Sequence, residues 1–321
     1  GVAMCVATPS LARTTIREVS RRGLVMTLMI ASLAFVPVRA EADQEKTVQW
    51  NESWPRVRLL EVLDIVALTA GSVLINAGPS HAEAQWTGPI LFDEPVRDLM
   101  KAQSRVGQRR AANISDYLYQ GMVLAPYAVD NFFVTLGIHQ NADVALQLTL
   151  MDMQSLGLSG VISLGAQHAI GRQRPYVAGC KGPNQTDAIG FNQCGGADDF
   201  KSFYSGHAAA MFTMAGLTCV HHQHLPLYGG GTPDILACVV MVGLATTGSL
   251  ARIVADRHWA SDVVLGTSVG LINGYVIPLW WHYGFGWNKP AMRTTFQTAL
   301  GTVVPMPQVY DGGGGVSFSI F

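Results

Sequence analysis

Three short stretches of this 321-residue chain bring together the kinds of side chain that handle phosphate. Gly171-Arg172-Gln173-Arg174-Pro175, Tyr204-Ser205-Gly206-His207, and Arg252 followed by His258 and Asp262 hold between them two histidines, three arginines and one aspartate. That set is what phosphoryl transfer through a histidine requires. Arg174 and Arg252 offer planar, permanently charged forks that match phosphate oxygens two at a time. Ser205 and Gly206 stand where a polar loop meets a long apolar run, so the free N–H groups and the positive dipole end of a helix point at an anion there. Gly206 lets that backbone approach closely.

The order of these stretches resembles the type 2 phosphatidic acid phosphatase (PAP2) superfamily, which also holds bacterial non-specific acid phosphatases and vanadium haloperoxidases. Its pattern is Lys-x6-Arg-Pro, then Pro-Ser-Gly-His, then Ser-Arg-x5-His-x3-Asp, and the resemblance runs loosely from Arg56 to Trp287. What the resemblance implies is a helical phosphatase in which His258 attacks phosphorus and becomes a phosphohistidine. Asp262, one helical turn further on, would accept a hydrogen bond from the other ring nitrogen and hold the reactive tautomer. His207 would protonate the leaving oxygen and then activate water. Arg174, Arg252, Ser205, Gly206 and the residue at 167 would bind the phosphate. The implied activity is hydrolysis of phosphomonoesters or diphosphates, lipids included, with no metal or cofactor. Two other readings stay open: a vanadate-dependent haloperoxidase, because the same cradle in the superfamily holds vanadate, and a weakened member that binds phosphorylated lipid in an envelope assembly.

The chain departs from the pattern at three places. Gln167 stands seven residues before Arg174 where the family has lysine, which keeps amide donors and loses a charge. Losing a charge-assisted bond to a desolvated phosphate costs about 1.5–3 kcal/mol, unless another cation substitutes. His168 and Arg172 are the neighbours that could. Tyr204 replaces the proline before Ser-Gly-His, and Ala251 replaces the serine before Arg252. Arg252 with His258 and Asp262 alone would read as a solvated helix end with an intrahelical pair, and Ser-Gly-His alone is a weaker signal still; three stretches in the right order read otherwise.

Composition narrows the class. Of the residues 49% are hydrophobic and 13% charged, with a net charge of -1, and no basic stripe interleaved with aromatics points to a nucleic acid. Residues 1–40 read as a signal peptide, with Arg13, Arg17, Arg21 and Arg22 ahead of the apolar run 23–38 and small residues around Arg39, or as an uncleaved anchor. Residues 41–56 read as a polar linker, 57–290 as the phosphatase domain and 291–321 as a tail with a β-hairpin. Cys180 and Cys194 flank a Gly/Asn-rich loop that a disulfide could rigidify, whereas Cys219 and Cys238, in apolar helical stretches, read as buried small residues rather than metal ligands. His221, His222 and His224 read as a solvated turn rather than a metal site.

The elements that must position these residues are helices. Apolar runs at 57–77, 118–138, 143–170, 206–222, 233–252 and 260–281 have helical length and no sustained period-two alternation. The segment 94–118 reads as one or two short amphipathic helices on the rim. The fold expected is all-α, a six-helix PAP2-like bundle in which four helix ends carry the motifs to one side. The sequence favours an exported, periplasmic or envelope-associated globular enzyme acting on a phosphorylated small molecule or phospholipid, with an integral membrane protein of up to six helices as the alternative. Glu61, Asp64, Asp130, Asn131, Asp152 and Gln154 weigh against burial in lipid.

Overall fold

The computed structural model describes residues 48–57, 59–180, 194–196 and 198–284, and the backbone of strands 304–310 and 313–319. The region expected as a signal peptide, 1–40, lies outside the described residues. Seven helices follow in order: α1 (Leu59–Ala77), α2 (Asp93–Met100), α3 (Arg105–Ala125, continued by a π-wound stretch Pro126–Ile138), α4 (Ala142–Ile170), α5 (Gly206–His224), α6 (Thr232–Val254) and α7 (Ala260–Leu271, continued through 272–276 to Ile277–Trp281).

The segment expected as a separate helix at 118–138 is the second half of α3. Nothing breaks the helix between Ser104, whose side chain caps its start by accepting from Gly107 N at 3.0 Å, and Pro126. Pro126 has no N–H to give, and the winding changes there from α to the wider π form, which keeps the chain helical past it.

Helix α5 is the axis of the bundle, buried from Ala208 through His222, with α4, α6 and α7 around it. Its approach to α7 is made by one stripe: Gly266, Gly270 and Gly274 lie against the backbone of Ser205, Ala209 and Thr213, and a methyl group on any of them would collide with it. Small residues four apart let two helix backbones meet without side chains between them. A disulfide joins Cys219 of α5 to Cys238 of α6, and both are buried as expected, though as a bonded pair. Cys180 and Cys194 are also bonded.

At the end of α5 away from Ser205, the segment read as linker contributes to the core. Val48 and Trp50 are buried there with Tyr283, Leu225 and Leu227, and Trp54 meets Tyr283 and His224 edge-on. The histidine-rich turn is not solvated. His221 Nε2 lies 3.0 Å from Asp152 and Nδ1 2.8 Å from the Tyr283 hydroxyl, and His222 Nδ1 lies 2.6 Å from Asp234. Asp130 and Asp152 turn inward at the same end: Asn131 donates to Asp152 at 2.8 Å and Tyr228 to Asp130 at 2.5 Å.

The outward faces are apolar. Among the described residues four helices (α1, α3, α6 and α7) are long and apolar enough to cross a membrane by length and composition. On α1 only Ile65 is buried, and Leu59 and Leu74 are each 72% exposed, as is Phe133 of α3 at 65%. In the tail, β1 (Val304–Tyr310) and β2 (Gly313–Ser319) run antiparallel with Val304 opposite Ser319. Their side chains and the turn between them lie outside the described residues.

Candidate active site

The C-terminal end of α4, the N-terminus of α5, the C-terminus of α6 and the N-terminus of α7 meet on one side of the bundle. Each is turned there by a local device. Helix α4 stops at Gly171, left-handed at φ 58; a side chain there would sit 2.8 Å from the His81 ring, so glycine alone fits. Helix α5 starts at Ser205, whose hydroxyl accepts from Ala208 N at 3.4 Å. Helix α6 ends in Asp256, left-handed at φ 59 and gripped by both arms of Arg97, from Nε at 2.6 Å and Nη2 at 2.9 Å. That reversal folds Arg257 and His258 back onto the last turn of α6, where their N–H groups reach Arg252 O at 3.0 and 3.4 Å.

His258 is buried, and its Nδ1 lies 2.8 Å from the Ser202 carbonyl oxygen. A carbonyl can only accept, so Nδ1 carries the proton and Nε2 keeps its lone pair. Nε2 faces Arg174, whose Nη1 is 3.4 Å away. Burial, then the charges of Arg174 and Arg252 and the nearby His207, hold the imidazole well below its ordinary pKa. The ring is therefore neutral at neutral pH, the form that can attack.

The two arginines are buried and fixed. Arg174 Nε donates to Asp198 O at 2.8 Å and Nη1 to Arg257 O at 3.3 Å. Arg252 Nη1 donates to Asp116 at 2.8 Å, while its buried Nε has no hydrogen-bond partner among the described residues. His207 Nε2 lies 3.0 Å from the same Asp116 oxygen, with its ring 4.7 Å from that of Tyr119. One carboxylate from α3 thus ties an arginine of α6 to a histidine of α5.

Asp262 sits close to His258 without bonding it. Its Oδ2 is 3.8 Å from Nδ1, beyond hydrogen-bond length, so the expected direct bond is replaced by the one to Ser202 O. Asp262 instead accepts from Ser202 Oγ at 2.6 Å, Trp259 N at 2.9 Å and Arg172 Nη1 at 2.6 Å. Arg172 is fully buried and bridges on to Asp93 at 2.6 Å, with its guanidinium 4.1 Å over the Trp86 ring. The carboxylate holds the piece of backbone that holds the histidine.

Gln167 is buried beside Gly206, and its amide donates to Tyr204 O at 3.0 Å. Neither neighbour expected to replace the family lysine is available. Arg172 is engaged by two carboxylates, and the His168 Nδ1 lies 2.9 Å from Leu164 O within its own helix. Asp116, Asp93 and Ser202 escaped the sequence reading, since none lies within a recognisable spacing of the motifs. Asp116 is 136 positions from Arg252, and only the packing of α3 on α6 makes them neighbours.

The PAP2 superfamily model matches residues 153–285, which cover the C-terminal part of α4 through α7 and every motif residue above. Over that stretch the chain is similar to the PAP2 superfamily. Over 73 residues it is 40% identical to a protein of Porphyromonas gingivalis described as lipid A 1-phosphatase. The matched stretch is 23% of this chain and 15% of that protein. No solved structure matches the chain.

Proposed function

We propose that this protein is a membrane-embedded phosphatase that removes a phosphate group from a phosphorylated lipid by way of a phosphohistidine. The observation that carries the chemistry is the state of His258: proton fixed on Nδ1 by a carbonyl, free lone pair on Nε2, Arg174 beside it. In the first step Nε2 bonds to phosphorus as the bond from phosphorus to the leaving oxygen breaks, and His207 gives that oxygen its proton. In the second, water attacks the phosphohistidine, His207 takes a proton from it, and inorganic phosphate leaves with His258 restored. Arg174 and Arg252 hold the equatorial oxygens in both steps, and the Ser205–Gly206 helix start adds backbone donors. Asp116 keeps Arg252 and His207 in register, and Asp262 positions His258 through Ser202.

Lipid as substrate follows from where the site lies. The bundle presents apolar helix faces on its flanks and a polar, arginine-bearing end. Two of the acidic residues that weighed against a membrane are met inside the protein, Asp130 by Tyr228 and Asp152 by Asn131 and His221, while Asp64 on the exposed face of α1 accepts from Gln154 at 3.0 Å. The relative's described activity on lipid A supports the same class of substrate. The Cys180–Cys194 bond belongs to the site-bearing end, and disulfides persist in oxidising compartments, so that end faces the exported side.

The test is purified full-length protein in detergent micelles, assayed for phosphate release from a panel of phosphorylated lipids and soluble phosphate esters, with and without a chelator. Release from lipids that resists chelation and disappears in His258→Ala is expected. Trapping an acid-labile phosphoryl group on the wild-type protein, absent from the variant, checks the intermediate. Activity confined to soluble esters would overturn the lipid reading.

A further inference from the structure

Two adjacent positions at the site-bearing end hold residues that neither the backbone nor the core calls for. Leu91 is left-handed, at φ 50, a conformation that glycine or asparagine takes far more readily. Phe92 stands at the N-cap of α2, where serine or aspartate would bond a free N–H, and its side chain caps nothing. Neither gains much by burial, since Leu91 is 85% exposed and Phe92 43%. The turn that displays them is closed firmly all the same, Asp93 N donating to Ile90 O and Ile90 N to Asp93 Oδ2, both at 2.9 Å. Local preferences broken twice in succession at an exposed point mark a role outside the folded chain.

The turn is also anchored to the cradle. Asp93 accepts from Ser261 N and Ser261 Oγ, each at 2.8 Å, and from Arg172 Nη2 at 2.6 Å, and Arg172 reaches on to Asp262. Ser261 is the second residue of α7, whose apolar stretch of 22 residues is about 33 Å long at 1.5 Å per residue, a match for a hydrocarbon layer of about 30 Å. The first turn of α7 therefore stands at the edge of that layer, with Val264 and Leu265 exposed just inside it. Bonded to that turn through Asp93, Leu91 and Phe92 lie at the same edge.

We infer that the turn Ile90–Asp93 is seated in the bilayer leaflet on the side of the site, with Leu91 and Phe92 among the acyl chains, and that this seat sets the depth at which the cradle meets lipid phosphates. The inference rests on the membrane-embedded phosphatase reading above. Hydrocarbon is the partner because both side chains are wholly apolar, the adjoining flank of α7 is apolar too, and transfer from water to acyl chains supplies the gain that no contact within the fold gives them. Since Asp93 ties the turn to α7 and to Arg172, the turn cannot rise or sink without the network behind His258.

The experiment uses full-length protein in phosphatidylcholine vesicles, with a fluorophore on Leu91→Cys or, as a solvent-facing control, on Gln103→Cys, each in a Cys5→Ser background because the other four cysteines are bonded in pairs. Nitroxide-bearing acyl chains quench from the lipid side and iodide from the water side. The label at 91 is expected to be quenched by the chains at least about threefold more than the label at 103, and to be shielded from iodide. Iodide quenching equal to that at 103 overturns the inference. So does shielding from both quenchers, which would put a protein surface over the turn. In the same vesicles Leu91→Asn and Phe92→Ser should each raise KM for a phosphorylated lipid by about tenfold, the loss of one apolar side chain from hydrocarbon. The kcat and the turnover of a soluble phosphate ester should stay within about twofold, and the thermal midpoint in detergent should not fall. A KM for lipid within about twofold of wild type, or an equal loss on lipid and soluble ester, overturns the inference. Quenching by the acyl chains in a protein that releases no phosphate from any lipid would uphold the seated turn while refuting the proposed function.

Discussion

Asp262→Asn separates two ways in which this aspartate could serve His258. The carboxylate takes three short bonds, from Arg172, Ser202 Oγ and Trp259 N, and stands 3.8 Å from His258 Nδ1. An asparagine offers one accepting atom, so whichever way it turns, an amide donor faces either Arg172 or the N-terminus of α7. Arg172 keeps Asp93, so the destabilisation is expected at about 2–4 kcal/mol, below that of a buried charge left alone. For the chemistry, Nδ1 keeps its proton and still donates it to Ser202 O, and the reactive tautomer survives. The fall in kcat should therefore be about 10–100-fold, well short of the roughly 10⁴-fold loss seen where an aspartate bonds the catalytic histidine directly. Phosphate release and thermal unfolding, measured on one preparation, give both numbers. A loss of 10⁴-fold with an unchanged unfolding midpoint would refute the reasoning and put Asp262 in direct contact with the ring during catalysis.

Other expectations follow from the same geometry. His258→Ala removes the attacking atom and should abolish phosphate release with the fold intact; activity within tenfold of wild type, seen in the same assay, would sink the mechanism. The folded imidazole of His258 is held below its ordinary pKa, so the unfolded chain takes up a proton that the folded one refuses as pH falls below about 6.5. The stability tied to this residue is thus present above that pH and lost below it, and thermal unfolding between pH 7.5 and 5 should decline more steeply for wild type than for His258→Gln. Arg172→Met leaves Asp93 and Asp262 buried without their cation and should cost about 3–5 kcal/mol, partly recovered by adding Asp93→Asn, in unfolding experiments on the detergent-solubilised protein. Asp116→Ala releases Arg252 and His207 together and should lower kcat by about tenfold or more with unchanged circular dichroism.

The motif residues were legible because their chemistry imposes local spacings: Arg252, His258 and Asp262 lie in one reversal, and Ser205, Gly206 and His207 in one helix start. The apolar runs gave the long helices for the same reason, since each has to bury a face along its whole length. What the sequence withheld depends on partners far along the chain. Asp116 and Asp93 are ordinary acidic residues until α3 and α2 dock at the site end. Ser202 acts through its carbonyl, which no residue type reveals. The merging of the expected rim helix with the segment at 118–138 turned on Pro126, normally a helix breaker, passing through π winding. The inward histidines near 221 looked solvated because their aspartates lie on α3, α4 and α6, out of reach of any local pattern.

The Cys219–Cys238 bond has a meaning for how the site tolerates movement. Cys219 lies fourteen positions beyond Ser205 along α5, and Cys238 lies fourteen before Arg252 along α6, so each half of the cradle stands about 21 Å from the same covalent pin at 1.5 Å per residue. Two antiparallel rods joined at equal depth can splay or twist about the pin, but neither can slide along the other. The height of the helix start at Ser205 and the height of Arg252 are thereby made equal by a bond far from both. Bending of the bilayer, or the entry of a bulky acyl chain between helices, would then change the width of the cradle while leaving its level intact.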